Sequence, residues 1–543
     1  MKRVFINANG YAMDKAESRF EAAAVEDGII SCVGSNEEVL ACAGEAEVID
    51  LAGKTLLPGF NDSHLHLLSY GYSLEVADLN DCKSLEELKR RVKKYIEDND
   101  IQKGQWVEGR GWDQNQFDTK EMPTRLDLDE EFADYYVVLT RTCAQISVVT
   151  TNVLQLAGIY ENPVQIEGGM ILTDENNTAN GILTGLATEI VYKIIPKLGV
   201  DRIKKCILSA CNKYITSGMT STQTDDFELL RAGNFEEILQ AYEELDRDGL
   251  LPMRVNLMLH LATLEELEAF IKLGYKTGDG SPFFRIGPFK TITDGSLGGR
   301  TAALREPYSD NPAGMADNIG EMYISREELE ALTRMGFDHG LQLVSDGIGD
   351  RAMRTVLDAF IKIIEDHPDE DLRFGIDHCQ ITTEGIIEDF ARYGIIGGLE
   401  LIFLASDIAI VRDRVGEHRA AMSYNWKKFK DLGVVIAAGS DSPVEEYSPL
   451  HGIYAAVSRC TYDKQPEGGY HPEQKLSVSD ALHAFTTGPA YATFEEDKKG
   501  TIEEGKYADF VVLDRDLYAI DPLSIMDTEV LMTVVGGEIV YQK

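Results

Sequence analysis

Residues Leu56–Leu67 read LLPGFNDSHLHL, an apolar run that passes a Pro-Gly turn and ends in Asp62-Ser63-His64-Leu65-His66. In an extended chain side chains alternate faces with a period of two, so His64 and His66 point the same way and Leu65 points into the wall behind them. Two neutral imidazoles on one face supply half of a divalent metal site. A bare His-x-His also arises by chance on a half-buried strand. Four later segments lift this one above chance, because most of them put another ligand-capable side chain at the end of an apolar run.

Working outward, residues 1–57 alternate short apolar runs (Val4–Ile6, Ala22–Val25, Ile29–Val33, Val48–Leu51) with Gly, Asn and Asp turns, which predicts several short strands. The other end is similar. GTIEEGKYADFVVLDRD gives a turn and then the strand Phe510–Leu513, and Val530–Val535, Gly536-Gly537 and Ile539–Tyr541 form a hairpin signal. A β-rich start and end suggest one small β-sandwich built from both termini, residues 1–57 and 496–543. Between them, strand candidates at Tyr136–Thr140, Arg254–Leu261, Phe284–Ile292, Leu341–Ser345, Arg373–Asp377, Ile395–Gly398 and Val434–Ala438 alternate with helical spacing at Ser84–Glu97, Phe235–Arg247, Leu264–Leu273, Ser325–His339 and Arg351–Asp366. Such alternation argues for parallel βα units. The roughly 200 residues between the His-x-His strand and Phe284 exceed what one βα unit uses, so an inserted subdomain is expected within about residues 75–235.

Composition narrows the function. The 543 residues suit one large catalytic domain with a smaller companion. Lys and Arg number 52 against 92 Asp and Glu, a formal charge of −40, which disfavours nucleic acid as a partner and fits solubility or a saline cytoplasm. The cysteines, at 32, 42, 82, 143, 206, 211, 379 and 460, show no CxxC pairing and read as reduced thiols. The first residues lack the apolar core of a signal peptide, and no segment approaches the roughly 18 uninterrupted apolar residues of a membrane span. A soluble, cytoplasmic protein without membrane partners is expected.

The four later segments carry the chemistry. FRIGPFKTITDGSLGGR (Phe284–Arg300) places Lys290 in an apolar run, costly unless the ammonium is neutralised or bonded, with Asp294 as a carboxylate that could pair with it. LQLVSDGIGDRA (Leu341–Ala352) ends a strand in Ser345-Asp346 and continues through Gly347 and Gly349, suited to a tight turn, into a helix start at Asp350–Arg351. RFGIDHCQ (Arg373–Gln380) ends a strand at His378, and VVIAAGSDSPVEEYSP (Val434–Pro449) delivers Asp441, which could also be an ordinary turn aspartate.

Taken with PGFNDSHLH at Pro58–His66, these segments resemble the amidohydrolase superfamily, specifically the amidohydrolase 3 branch that includes N-substituted formamide deformylase. The resemblance implies an α/β fold, a TIM-like (β/α)8 barrel over residues 58–495 with the insert, flanked by the terminal sandwich. It implies metal ligands at His64, His66, Lys290, His378 and Asp441, one or two divalent ions, zinc foremost, and a Lys290 that can be carboxylated to bridge two of them. Asp441 would be the catalytic residue, taking the proton of the attacking water. The reaction implied is hydrolysis of a carbon–nitrogen bond other than a peptide bond in a small molecule, and pairing as a homodimer is common in such enzymes.

The sequence also departs from the branch. Where relatives read His-Ala-Ile-Gly-Asp-Arg-Ala, the histidine position is placed on Ser345. Either Asp346 then substitutes as an oxygen ligand after a local shift, or the centre holds fewer metals. Gln145 stands where a Cys-Gly-His segment carries its histidine, and Gly185 where a glutamate is frequent. These departures keep a second reading open, a metal-poor, catalytically silent relative that serves as a binding or regulatory protein. Trp112 and Asp113 in GRGWDQN, together with Asp294, are candidate substrate-binding residues, although Trp112 could equally be a packed indole beside a turn. His260, at the end of a strand candidate, is the reserve ligand.

Overall fold

The structure is a computed structural model and describes residues 2–143, 145–166, 168–227, 234–312 and 314–543. The chain divides into two compact units, one comprising Met1–Leu67, Ala210–Leu229 and Ile238–Lys543, the other Leu68–Ser209 and Leu230–Glu237.

At the heart of the larger unit lies a parallel sheet of eight strands: β1 (Phe60–Leu65), β2 (Met219–Asp225), β3 (Arg254–His260), β4 (Phe284–Thr291), β5 (Leu343–Gly347), β6 (Gly375–His378), β7 (Ile396–Leu399) and β8 (Ile436–Ala438). Neighbours in the sheet follow chain order, as right-handed βα crossovers dictate. Just past the ends of β1 and β8, Asp441 N–H donates to His64 O at 2.7 Å and His66 N–H to Ser442 O at 2.8 Å, closing a TIM-like barrel. The expected helices form with caps that explain their ends. Ser325 accepts from Glu328 N–H at the start of Arg326–Asp338, and Gly349 opens Asp350–Asp366 where a Cβ would come within 1.9 Å of Ala303 O.

One strand candidate falls within the expected insert, and one barrel strand lies where none was expected. Tyr136–Arg141 is a strand, but it pairs with Trp106–Trp112 and Ile146–Val149 in the six-stranded sheet of the smaller unit, not in the barrel. The barrel's second strand, β2, has the sequence MTSTQTD and shows no apolar pattern, yet every residue in it is buried. Its hydroxyls turn to backbone: Thr222 Oγ1 donates to Asp62 O at 3.2 Å, and Thr224 Oγ1 accepts from Leu67 N–H at 2.9 Å. Satisfied hydroxyls let a polar strand occupy a core position that hydrophobic periodicity cannot detect.

Strands from both termini interleave in the sandwich. Thr55–Pro58 pairs antiparallel with Phe510–Leu513, which pairs with Val530–Val535, and the latter turns at Gly536-Gly537 into Glu538–Gln542. A second sheet orders Ile29–Gly34, Ala22–Glu26, Lys2–Ile6 and Glu47–Asp50. Phe5, Leu56, Phe510, Val512 and Val534 share one core between the sheets. Among the described residues, no helix is long and apolar enough to cross a membrane.

Candidate metal centre

Parallel strands of a barrel end together at one mouth, so side chains at their C-terminal ends converge. Here His64 (β1), Asp225 (β2), Lys290 (β4), Asp346 (β5), Asp377 and His378 (β6) are joined by His66, Glu400 and Asp441, one to three residues beyond β1, β7 and β8. All but His66 are buried. His378 and Asp441 adopt φ of 71° and 56°, sparsely populated values for residues with a side chain, of the kind held at functional sites.

The imidazoles are oriented from behind. His64 Nδ1 lies 3.0 Å from Glu400 Oε1, His378 Nδ1 lies 3.1 Å from Glu400 Oε2, and His66 Nδ1 lies 2.8 Å from Asp225 O. Each acceptor favours a proton on Nδ1, so that Nε2 is the nitrogen each ring would turn to a metal. The three Nε2 atoms face one another's acidic neighbours: His66 Nε2 is 2.8 Å and His64 Nε2 3.8 Å from Asp441 Oδ1, and His378 Nε2 is 3.8 Å from Asp346 Oδ2. Lys290 Nζ sits 2.7 Å from His64 Nε2, 3.2 Å from Asp346 Oδ1, 3.4 Å from Asp225 Oδ2 and 3.8 Å from Asp377 Oδ2.

Five buried carboxylates thus gather at this mouth: Asp225, Asp346 and Asp377 within 3.8 Å of the Lys290 ammonium, and Glu400 and Asp441 against the imidazoles. Both oxygens of Asp225, Asp346 Oδ1, Asp377 Oδ2 and Glu400 Oε2 have ionic neighbours at most, and no hydrogen bond. Burial pushes the Asp377 carboxyl up to about 6. Burial also acts to raise Glu400, but the imidazoles of His378 and His64 outweigh it and hold the carboxyl down at about 2. The same pairing works on the other partner: burial pulls the His378 imidazole down, while Glu400 and Asp346 lift it well above its usual value. Oxygen and imidazole donors, short of hydrogen bonds and rich in negative charge, fit a divalent cation. Donor atoms of His64, His66 and Asp441 lie within 4.8 Å of one another, as do those of His64, Asp346 and Asp377 and those of His64, His378 and Glu400.

The structure answers the question left at Ser345 and Asp346. Ser345 turns to β4, its Oγ 2.8 Å from Thr291 Oγ1, whereas Asp346 faces Lys290 and His378. No local shift is needed. The motif His-Ala-Ile-Gly-Asp-Arg-Ala, laid back from Ala352, begins at Asp346, so the placement on Ser345 was one residue early. The Asp294 carboxylate accepts from Ala303, Ile348 and Gly349 N–H at 2.8, 3.1 and 2.9 Å and pins the turn after β5. Trp112 is the packed indole, fully buried in the smaller unit with Nε1–H donating to Leu139 O at 2.9 Å, and Asp113 pairs with Arg141 at 2.5 Å. Gln145 and Gly185 are neighbours in that unit, Gly185 N–H donating to Gln145 O at 2.8 Å. His260 ends β3 beside Lys290 in register.

Sequence reasoning missed Asp225, Asp377 and Glu400. Asp225 ends the polar strand that periodicity overlooked. Asp377 precedes His378 and was passed over for it. Glu400 follows a strand that was recognised, so a search for carboxylates at the ends of all strand candidates would have found it.

Fold and clustered donors together define a βα-barrel enzyme of the metal-dependent hydrolase type. The chain belongs to the amidohydrolase family, whose profile it matches over residues 47–541. It is 34% identical to the Bacillus subtilis protein YtcJ across 100% of both chains, and 26% identical to N-substituted formamide deformylase of Arthrobacter pascens, covering 99% of this chain and 98% of that one. A solved metal-dependent hydrolase from Pyrococcus furiosus, itself uncharacterized, superposes with a TM-score of 0.78 at 30% identity, covering 95% of this chain and 100% of that one.

Proposed function

We propose that this enzyme hydrolyses a carbon–nitrogen bond other than a peptide bond, of the amide or N-substituted formamide type, in a small molecule. His64, His66, Lys290, Asp346, His378 and Asp441 would hold a divalent metal, zinc foremost. The observation that carries this reading is the orientation of three imidazoles by acceptors on Nδ1, which aims three Nε2 atoms into a cluster of buried carboxylates. The excess of buried carboxylates over cationic groups at this mouth favours divalent cations, with Lys290 joining the ligands once its ammonium is neutralised, as by carboxylation. A bound ion of this kind polarises a carbonyl and lowers the pKa of water towards neutrality.

The chain's own residues do the rest. Burial acts to raise the Asp441 carboxyl, but the bond to His66 and the nearby His64 and His378 hold it below its ordinary value, so it stands ionised and able to accept a proton from water. The same carboxyl can return that proton to the leaving nitrogen. Glu400 holds His64 and His378 together, because one carboxylate hydrogen-bonds the first ring and makes an ion-pair contact with the second. Phe403, half-buried with its ring 5.9 Å from that of His378, supplies an apolar wall beside the centre. The scattered free thiols support a cytoplasmic setting, and a homodimer remains part of the proposal from family likeness.

The test is metal content per chain by elemental mass spectrometry, alongside hydrolysis of a panel of amides and N-substituted formamides, for the wild type and a His64→Ala/His66→Ala variant. Near two ions per chain in the wild type, lost with turnover in the variant, supports the reading, and intact-mass analysis then shows whether Lys290 carries an added CO2. A wild type that neither retains nor takes up metal would overturn it in favour of a silent binding protein.

A further inference from the structure

One residue layer nearer the N-terminal ends of the strands, the barrel encloses a cavity of about 20 Å³. The layer follows from the pleat: on β2, β4, β5 and β7 the residues lining it (Gln223, Pro288, Val344, Gly398) lie two positions before Asp225, Lys290, Asp346 and Glu400. Most of its wall is apolar; its polar lining residues are Ser63, Gln223, Gln342, Arg373 and Asp377, of which Gln342 donates to Arg373 O and Ala492 O and Arg373 pairs with Glu496. The other three side chains are each at least 96% buried, and Ser63 Oγ, Gln223 Nε2 and Asp377 Oδ2 make no hydrogen bond with the protein. Asp377 Oδ2 has only ionic neighbours, His64 Nδ1 at 3.5 Å and Lys290 Nζ at 3.8 Å.

Three desolvated polar atoms around so small a space are costly unless something bonds them. The volume exceeds the roughly 10–15 Å³ that a single water needs, and about three polar partners is what a buried water commonly finds. We propose that this cavity is the site of one ordered water. The water accepts from Gln223 Nε2–H, donates to Asp377 Oδ2 and pairs with Ser63 Oγ, whose hydroxyl can turn either way. On its other side the Asp377 carboxylate is held against β7, where a Cβ on Gly398 would come within 2.0 Å of Oδ1. Backbone on one side and water on the other fix Asp377 beneath His64 and Lys290. Gln223 and Ser63 are therefore positioning residues that reach the centre through a water and a carboxylate, two steps from any ligand.

The water is tested by a crystal structure of the wild-type enzyme at a resolution that shows ordered solvent. The expected result is one density peak within hydrogen-bond reach of all three atoms. No peak, direct pairing of Gln223 with Asp377, or short contacts from a metal ion in that place would overturn the proposal. Gln223→Met fills the cavity with an apolar chain and is expected to displace the water, turn the Asp377 carboxylate and raise the dissociation constant for zinc about tenfold. Met258→Leu, on the same wall with no polar atom, is expected to change none of these. If Gln223→Met fails to fold, Ser63→Ala removes one partner without adding volume and is expected to weaken the peak and, to a smaller degree, zinc affinity. Folded Gln223→Met with Asp377 unmoved and zinc affinity unchanged would sink the positioning role. That role rests on the proposed metal centre, but the water does not, because density reports it in protein that holds no metal.

Discussion

The two ends of the barrel treat buried charge in opposite ways. At the base, Arg254 of β3 meets Asp509 one to one, Nε and Nη2 donating to the two carboxylate oxygens at 2.7 and 2.9 Å, with the guanidinium carbon 3.9 Å from the centre of the Tyr507 ring. At the mouth, three carboxylates crowd one ammonium and two more stand against the imidazoles, and several of their oxygens lack hydrogen bonds. The base is a closed ion pair, whose work is to hold the barrel strand to the C-terminal strand. The mouth is unbalanced in a way that folding alone does not favour, and unbalanced buried charge of this kind marks a site awaiting a counter-ion.

That contrast can be broken from either end. The largest effect is expected at the mouth: Asp441→Asn keeps the shape but removes the proton acceptor, and turnover is expected to fall about 10²–10⁴-fold with the circular dichroism spectrum unchanged. At the base, Arg254→Met strands the Asp509 carboxylate and is expected to cost about 3–5 kcal/mol in denaturant unfolding, whereas Arg254→Met/Asp509→Leu is expected to recover most of that loss. An equal loss in both would mean that packing, not charge, holds that contact. Glu400→Gln leaves a side chain of the same size but removes the charge that orients His64 and His378, so metal affinity measured by competition with a chelator is expected to drop about 10–100-fold.

Acid provides a gentler probe. The Glu400 carboxyl is held at about 2, below the ordinary 4.5, so the folded state binds its proton more weakly than the unfolded chain does. Its contribution to the stability of metal-free protein is fully present above about pH 4.5 and is lost as the pH falls towards 2, and Glu400→Gln is expected to flatten that part of the stability profile. Asp377 works the other way. Its carboxyl is raised to about 6, so what it contributes is present below the ordinary value of 3.8 and fades as the pH rises through 6. The smallest effect sharpens the comparison inside the mouth itself. Ser345→Ala, whose hydroxyl serves β4, is expected to leave metal content unchanged, while Asp346→Asn next to it lowers it; the reverse outcome would return the ligand role to Ser345.

The sequence by itself determined the fold class, the paired termini and most of the centre. His64, His66, Lys290, His378 and Asp441 are legible because each ends or interrupts an apolar run, and a strand's alternation and a barrel's common mouth turn those ends into neighbours. Counting the motif back from Ala352 already puts Asp346 at the histidine position, and the structure adds the reason Ser345 turns away, since Thr291 of β4 claims its hydroxyl. Tertiary structure alone brought in Asp225, from a strand whose threonines are satisfied by neighbouring backbone, and it alone gave Glu400, a strand-end carboxylate, its place between two imidazoles from distant strands. It also shows Trp112 and Asp294 bonded to backbone, because buried polar groups must find partners. Local pattern fixes where a side chain can point, and only the assembled strands fix what it meets there.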